Sequence, residues 1–164
     1  MIGSRRHRRP HWRRAPGELP TAEFLRGLLD ATRARLPAEL QPFRARQQPA
    51  LVKAFYGDPA IHFEVWLHRA RGRVEVGLHF ETRDAARNAR MLEYVADELV
   101  FLKAALGEGL EAEPWDKGWT RLYQVLPLEP LLSDFRARLA EHFARFIETL
   151  EPVRQAAVEF APTG

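Results

Sequence analysis

The sequence predicts an α+β domain in two layers, with a five-stranded, mainly antiparallel sheet packed by amphipathic helices. Strand-like segments joined by short turns, apolar stripes at helical spacing, and a length of 164 residues predict this class. The expected order is α-β-β-β-α-β-β-α, and strands joined by tight turns must pair in antiparallel fashion. We expect a single domain over residues 20–160, preceded by a basic arm over residues 1–19 that is extended or disordered.

The first helix is predicted to begin near Thr21, a favourable N-cap residue, and to end at Pro37. Its apolar residues recur at the spacing expected for one buried face, namely Phe24, Leu25, Leu28, Leu29 and Leu36. The stretch ALVKAFYGDP then predicts a short strand over residues 50–56, which a turn at residues 57–59 ends.

The central hairpin is predicted over residues 61–69 and 73–81, within HFEVWLHRARGRVEVGLHFE. Apolar residues alternate with polar ones in both runs, so both apolar sets must point into the core together. A two-residue turn at Arg71 and Gly72 pairs Phe63 with Phe80 on the inner face. The same register predicts four outer pairs: His68 with Glu75, Trp66 with Gly77, Glu64 with His79, and His62 with Glu81.

The outer face of this hairpin has three interpretations. Cross-strand pairs of histidine and glutamate stabilise a sheet by about 0.2–1 kcal/mol each, which favours a structural role. A binding face around Trp66 is the second interpretation, and a metal or acid–base site is the third. Neighbouring outer side chains project roughly in parallel, so they seldom surround one ion without a loop. We therefore expect no catalytic residue, no metal and no cofactor here.

A long helix is predicted over residues 83–106, ended by Gly107 and Gly109. Asn88 interrupts its apolar stripe, and we expect this side chain to hydrogen-bond a strand or loop. The last helix is predicted to open at Pro130, a residue that favours the first turn, and to be interrupted or ended by Pro152.

A second hairpin is predicted from LEAEPWDKGWTRLYQVL. Residues 116–118 suit a three-residue loop with Gly118 in the left-handed position. This loop sets Trp115 opposite Trp119 and Glu113 opposite Arg121.

Several enzyme classes are excluded by composition. The chain has no cysteine, and serine occurs only at Ser4 and Ser133, so a cysteine nucleophile and a G-x-S-x-G nucleophile elbow are both absent. Neither a phosphate-binding P-loop nor a dinucleotide-binding glycine motif occurs, and there is no H-E-x-x-H.

The positive charge is concentrated at the start of the chain. Six of the 25 basic residues lie in SRRHRRPHWRR, and without them 19 basic residues face 22 acidic ones. Arginines neutralise phosphates, and guanidinium groups and indoles stack on unpaired bases, so the arm predicts binding of nucleic acid or of an acidic protein. The predicted contacts are Arg5, Arg6, Arg8, Arg9, Trp12, Arg13 and Arg14.

Residues 60–128 resemble uncharacterised bacterial α+β domains that occur alone or attached to restriction-endonuclease-like proteins. The resemblance lies in HFEVWLHRARGRVEVGLHFE, in Asn88 and Leu92, and in LKAALGEGLEAEPW and TRLYQVLPL. It implies an accessory module, with no activity or functional residues to carry over. The nuclease motif of the attached proteins is missing from this chain.

The sequence thus favours a non-enzymatic interaction module associated with nucleic acid or a larger complex through its arm. The indoles of Trp66, Trp115 and Trp119 are expected to bind a partner, since tryptophan is a common interface anchor. The alternatives are a small metal-dependent hydrolase that uses the hairpin face and a homodimer built around Trp66. No apolar run approaches the roughly 18–20 residues that span a bilayer, and a cytoplasmic location is expected.

Overall fold

The computed structural model describes residues 14–164. The predicted arm contacts at residues 5–13 lie outside this range, and Arg14 is exposed. The helices are α1 (Thr21–Arg35), α2 (Ala85–Asp97), α3 (Leu99–Leu106) and α4 (Ser133–Phe160). The strands are β1 (Arg44–Gln47), β2 (Leu51–Phe55), β3 (Ile61–His68), β4 (Arg73–Phe80), β5 (Glu111–Pro114) and β6 (Thr120–Pro127).

One antiparallel sheet contains six strands in the order β1-β2-β3-β4-β6-β5. The α+β class and the antiparallel sheet are confirmed, but the predicted number of five strands is wrong. The additional strand is β1, whose four residues are all exposed. Its sequence RARQ has no apolar alternation, so periodicity cannot reveal it. Backbone pairing with β2 defines this short edge strand.

The predicted register of the central hairpin is wrong by two residues. Phe63 pairs with Leu78 instead of Phe80, because residues 69–72 form a longer connection with Gly72 in the left-handed conformation at φ +61°. An even shift leaves every side chain on its predicted face. Phe63 and Phe80 are accordingly both fully buried in the core. The outer pairs do change: His62 faces His79, Glu64 faces Gly77, Trp66 faces Glu75, and His68 faces Arg73.

The helices pack on the apolar side of the sheet. Phe146 of α4 contacts Phe63 of β3 edge-on, with ring centroids 6.4 Å apart. On β6, the Gln124 amide donates to the Leu106 carbonyl of α3, and the Thr120 hydroxyl donates to the Asn88 carbonyl of α2. The α1 helix packs mainly on α4, and Gln47, one of the two β1 residues on this side, donates to the Ala22 carbonyl.

Two predicted helix boundaries are wrong. The predicted helix over 83–106 is broken at Glu98, which separates α2 from α3, although no proline or glycine marks the break. The last helix begins at Ser133 and continues through Pro152. Proline inside a helix removes one hydrogen bond, but Leu150 and Ala157 are buried on either side of it, so core packing stabilises both halves of the helix.

The predicted role of Asn88 is confirmed. Its side-chain carbonyl accepts from the backbone and hydroxyl of Thr82, and its amide donates to the carbonyls of Thr82 and Gly118. These bonds tie α2 to the end of β4 and to the loop between β5 and β6. No helix within residues 14–164 has the length and apolarity needed to cross a bilayer.

Candidate functional site

One side of the sheet has no helix packed on it within the described chain. The hydrogen bonds and ion pairs of the outward β3 and β4 side chains run to one another, to neighbouring strands, or to the loop before β3. We call this side the open face. The strand ladders place on it Arg44, Arg46, Leu51, Lys53, Phe55, His62, Glu64, Trp66, His68, Arg73, Glu75, Gly77, His79, Glu111, Glu113, Arg121, Tyr123 and Val125.

Four residues at the centre of the open face form what we call the His/Glu cluster: His62, Glu64, His79 and Glu81. One potential ligand atom from each lies within 4.8 Å of the other three. The two imidazole rings are nearly parallel, at 12° with centroids 5.4 Å apart, because His62 and His79 are directly paired across β3 and β4. Although no helix covers them, His62, Glu64 and His79 are buried by the side chains around them.

Each imidazole of the cluster is oriented by a hydrogen bond on its Nδ1 atom. His62 Nδ1 donates to the Pro59 carbonyl at 2.9 Å, because a carbonyl oxygen can only accept. His79 Nδ1 lies 3.1 Å from Glu81 Oε1 and donates to that carboxylate. In the neutral rings both Nε2 atoms therefore carry a lone pair. They lie 3.4 Å and 3.9 Å from the two oxygens of Glu64, and His62 Nε2 is buried but has no hydrogen-bond partner within residues 14–164.

Lys53 supplies a positive charge at the rim of the cluster. Its Nζ atom lies 3.3 Å from Glu81 Oε2 and 3.7 Å from Glu64 Oε2. Burial pushes the pKa of Glu81 up, but the hydrogen bond from His79 and the electrostatic effects of His62, His79 and Lys53 outweigh it, and the pKa falls to about 2. The pKa of Glu64 is also lowered against the opposing effect of burial, by its 3.4 Å contact with His62 and by the nearby His79 and Lys53. Both carboxylates are therefore ionised at neutral pH.

Gly77 creates the space that His79 occupies. A Cβ atom at Gly77 would lie 2.9 Å from His79 Nε2 and 3.3 Å from the Leu122 carbonyl oxygen. The ring of His79 therefore leans over the bare backbone toward Glu64, which is the cross-strand partner of Gly77. Trp66 was predicted to lie over this glycine. In the observed register Trp66 faces Glu75 instead, and Glu64 faces Gly77.

A second group of open-face residues centres on Arg121, which is buried. Its guanidinium lies 3.7 Å from the ring centroid of Trp115 and 3.8 Å from that of Tyr123. It donates to Glu75 at 2.9 Å and to Glu113 at 2.7 Å. We call these five residues the Arg121 cluster. The predicted pairs of Glu113 with Arg121 and of Trp115 with Trp119 are confirmed.

The three tryptophans predicted to bind a partner are half-buried. Trp66 contacts the ring of His68, with centroids 3.6 Å apart, and Trp115 covers Arg121. Trp119 lies beside Lys117, whose Nζ is 5.2 Å from the ring centroid. Trp66 and Trp115 thus contact open-face residues, whereas Trp119 contacts a residue of the loop between β5 and β6. Sequence reasoning did not find the contact of Lys53 with Glu81 or that of Arg121 with Glu75, because each joins strands that are not consecutive in the chain.

Comparisons with known proteins identify no family. No family model matches the chain, and a search of curated proteins returns no match. A chain from the "Structure of the HopA1-SchA Chaperone-Effector Complex" is 20% identical with a TM-score of 0.40, covering 80% of this chain and 94% of that one. At this TM-score the likeness supports no conclusion about function.

Proposed function

We propose that this domain is a protein-interaction module that binds its partner on the open face. The observation that supports this most directly is the one-sided packing of the sheet. The helices lie on the apolar side, whereas the six-stranded opposite side presents aromatic and charged side chains that are already fixed by mutual contacts.

The chemistry of these side chains is that of a protein interface. Tryptophan, tyrosine and arginine are the residues most enriched among those that dominate binding energy. Arg121, Trp115 and Tyr123 are stacked and hydrogen-bonded before any partner arrives, so binding orders few additional side chains. Immobilising a side chain on association costs about 0.5–1.5 kcal/mol, so a surface held in this way binds with a smaller loss of entropy.

The charges of the open face favour a protein partner over a nucleic acid. A nucleic-acid surface needs an excess of basic residues to neutralise phosphates. Five basic and five acidic side chains balance on and beside this face instead: Arg44, Arg46, Lys53, Arg73 and Arg121 against Glu64, Glu75, Glu81, Glu111 and Glu113. Binding of nucleic acid remains a separate proposal for the arm, as does the accessory role that the resemblance of residues 60–128 implies.

Site-specific photo-crosslinking in the cells of origin tests the proposal. Val125 on the open face and Val100 on α3 are both exposed, at 45% and 78%, and each is replaced singly by a photoreactive phenylalanine. We expect a discrete protein adduct from position 125 and none from position 100, with Trp66→Ala reducing the yield. A second copy of this chain in the adduct would mean that the module is a homodimer. Equal crosslinking from both positions, or adducts only with nucleic acid, would contradict the proposal.

A further inference from the structure

We infer that the His/Glu cluster binds one divalent metal ion of the zinc class, with His62 Nε2, His79 Nε2 and the Glu64 carboxylate as ligands. This site is separate from the proposed function, because it requires no partner. The two imidazoles and one carboxylate are donors that suit Zn²⁺, Co²⁺ and related borderline ions rather than Ca²⁺ or Mg²⁺.

The Glu64 carboxylate lies close to both imidazole nitrogens. Bonds of about 2.0–2.1 Å around a tetrahedral ion place neighbouring ligand atoms about 3.3 Å apart. His62 Nε2 is already 3.4 Å from Glu64 Oε2, and His79 Nε2 is 3.9 Å from Glu64 Oε1. The Glu64 carboxylate thus lies between the two imidazoles, and rotamer adjustments of Glu64 and His79 are needed to bring one of its oxygens and both nitrogens to this spacing around one ion. Water can take the fourth position.

The atoms behind the ligands are arranged as metal sites require. A histidine that binds a metal through one nitrogen usually donates its other N–H to a carbonyl or carboxylate, which fixes the ring and the tautomer. His62 makes this bond to Pro59, and His79 makes it to Glu81. Both rings therefore direct a lone pair toward Glu64. Glu81 is a positioning residue in this arrangement.

The unpartnered nitrogen of His62 is the second, independent observation. Its side chain is 1% exposed, and buried polar atoms in native structures nearly always have a partner. Lys53 partly neutralises Glu64 and Glu81. Its ammonium group contacts these two carboxylates and leaves His62 Nε2 without a partner. A metal ion at the centre satisfies both imidazoles and Glu64 together, while Lys53, at the rim and 20% exposed, can turn outward.

The same face carries a matched control. His68 also pairs with a glutamate, with Nε2 3.4 Å from Glu75 Oε1, and this Nε2 is likewise buried without a hydrogen-bond partner among the described residues. However, Arg73 and Arg121 already occupy the two oxygens of Glu75, at 2.6 Å and 2.9 Å. A second divalent cation would meet two guanidinium groups there. The His68 pair is therefore expected to bind no metal.

Calorimetric titration of the full chain with Zn²⁺, and with Co²⁺ followed by its visible ligand-field bands, tests the inference. The background carries His7→Gln and His11→Gln, which remove the histidines of the arm. We expect one equivalent to bind with tetrahedral Co²⁺ bands. His79→Gln and Glu64→Gln should weaken binding by about 100-fold or more, and Glu81→Gln by about 10-fold. His68→Gln should leave it unchanged.

The inference is overturned if the chain binds no Zn²⁺, if His79→Gln binds as tightly as the parent, or if His68→Gln weakens binding equally. Thermal unfolding of each metal-free variant checks that it folds. If the substitutions at the ligands prevent folding, binding of Zn²⁺ to the Lys53→Met variant becomes the deciding measurement. It keeps all three ligands and removes the competing charge, so Zn²⁺ should bind more tightly. Unchanged or weaker binding in Lys53→Met would contradict the proposed place of the ion.

Discussion

Replacing Arg121 by alanine tests whether the Arg121 cluster is fixed as described. Arg121 and Glu75 have side chains only 5% and 6% exposed, so the substitution leaves Glu75 buried with one cation fewer. Breaking a buried ion pair from one side costs about 3–5 kcal/mol. Arg73 still donates to Glu75 at 2.6 Å, which favours the lower end of that range. Lost stacking on Trp115 and Tyr123 adds about 0.5–1 kcal/mol for each ring. We expect a total loss of about 4 kcal/mol.

Denaturant unfolding of a double-mutant cycle measures this loss and its cause. The charge of Glu75 accounts for most of the expected penalty, so adding Glu75→Gln to Arg121→Ala should recover about 1–2 kcal/mol of stability. Exposed Arg138, paired with Glu129 at 2.7 Å, is the matched control, and Arg138→Ala should cost far less stability because water screens an exposed pair. An Arg121→Ala loss as small as that of Arg138→Ala, or a double mutant less stable than the single one, would refute the reasoning.

Three further predictions concern other parts of the chain. Asn88→Ala removes four hydrogen bonds and should lower the free energy of unfolding by about 2–4 kcal/mol, measured by urea denaturation; a loss below about 0.5 kcal/mol would contradict the buried network. Deletion of residues 1–13 should abolish binding to a synthetic polyanion and its dependence on salt, and unchanged binding would remove the proposed role of the arm. Burial and the nearby Arg145 lower the pKa of His142, so folding opposes its protonation. The free energy of unfolding should therefore decrease as the pH falls below the ordinary histidine pKa of about 6.5. His142→Gln should make the free energy of unfolding depend less on pH in this range, and an identical pH profile for the variant would contradict the prediction.

Much of the fold is predictable because its main patterns are local. Alternation in β3 and β4 assigns each side chain to the same face in all registers that differ by an even number of residues, which explains why Phe63 and Phe80 are both in the core despite the wrong pairing. The register itself depends on the conformation of residues 69–72, and those residues suit more than one turn. Strand β1 was missed because its pairing with β2 is a backbone property that its side chains do not signal.

The site was less predictable, since it depends on that register. In the predicted pairing His62 faces a glutamate, which indicates ordinary cross-strand pairs. In the observed pairing His62 faces His79, and both rings converge on Glu64. Lys53 joins the cluster from β2, a strand whose alignment with β3 the sequence analysis did not address. A shift of two residues in the β3–β4 register thus decides whether this face shows ordinary cross-strand pairs or a candidate metal site.

The most direct test of the open face as a binding surface is a nuclear magnetic resonance titration of the indole N–H groups. The chain has four tryptophans, of which Trp66, Trp115 and Trp119 are those predicted to bind a partner and Trp12 lies in the arm. On addition of the protein that crosslinks from position 125, we predict that the resonances of these three indoles shift or broaden while backbone amides of α3 do not. Shifts confined to α3 or to Trp12, with the three indoles unchanged, would contradict the account.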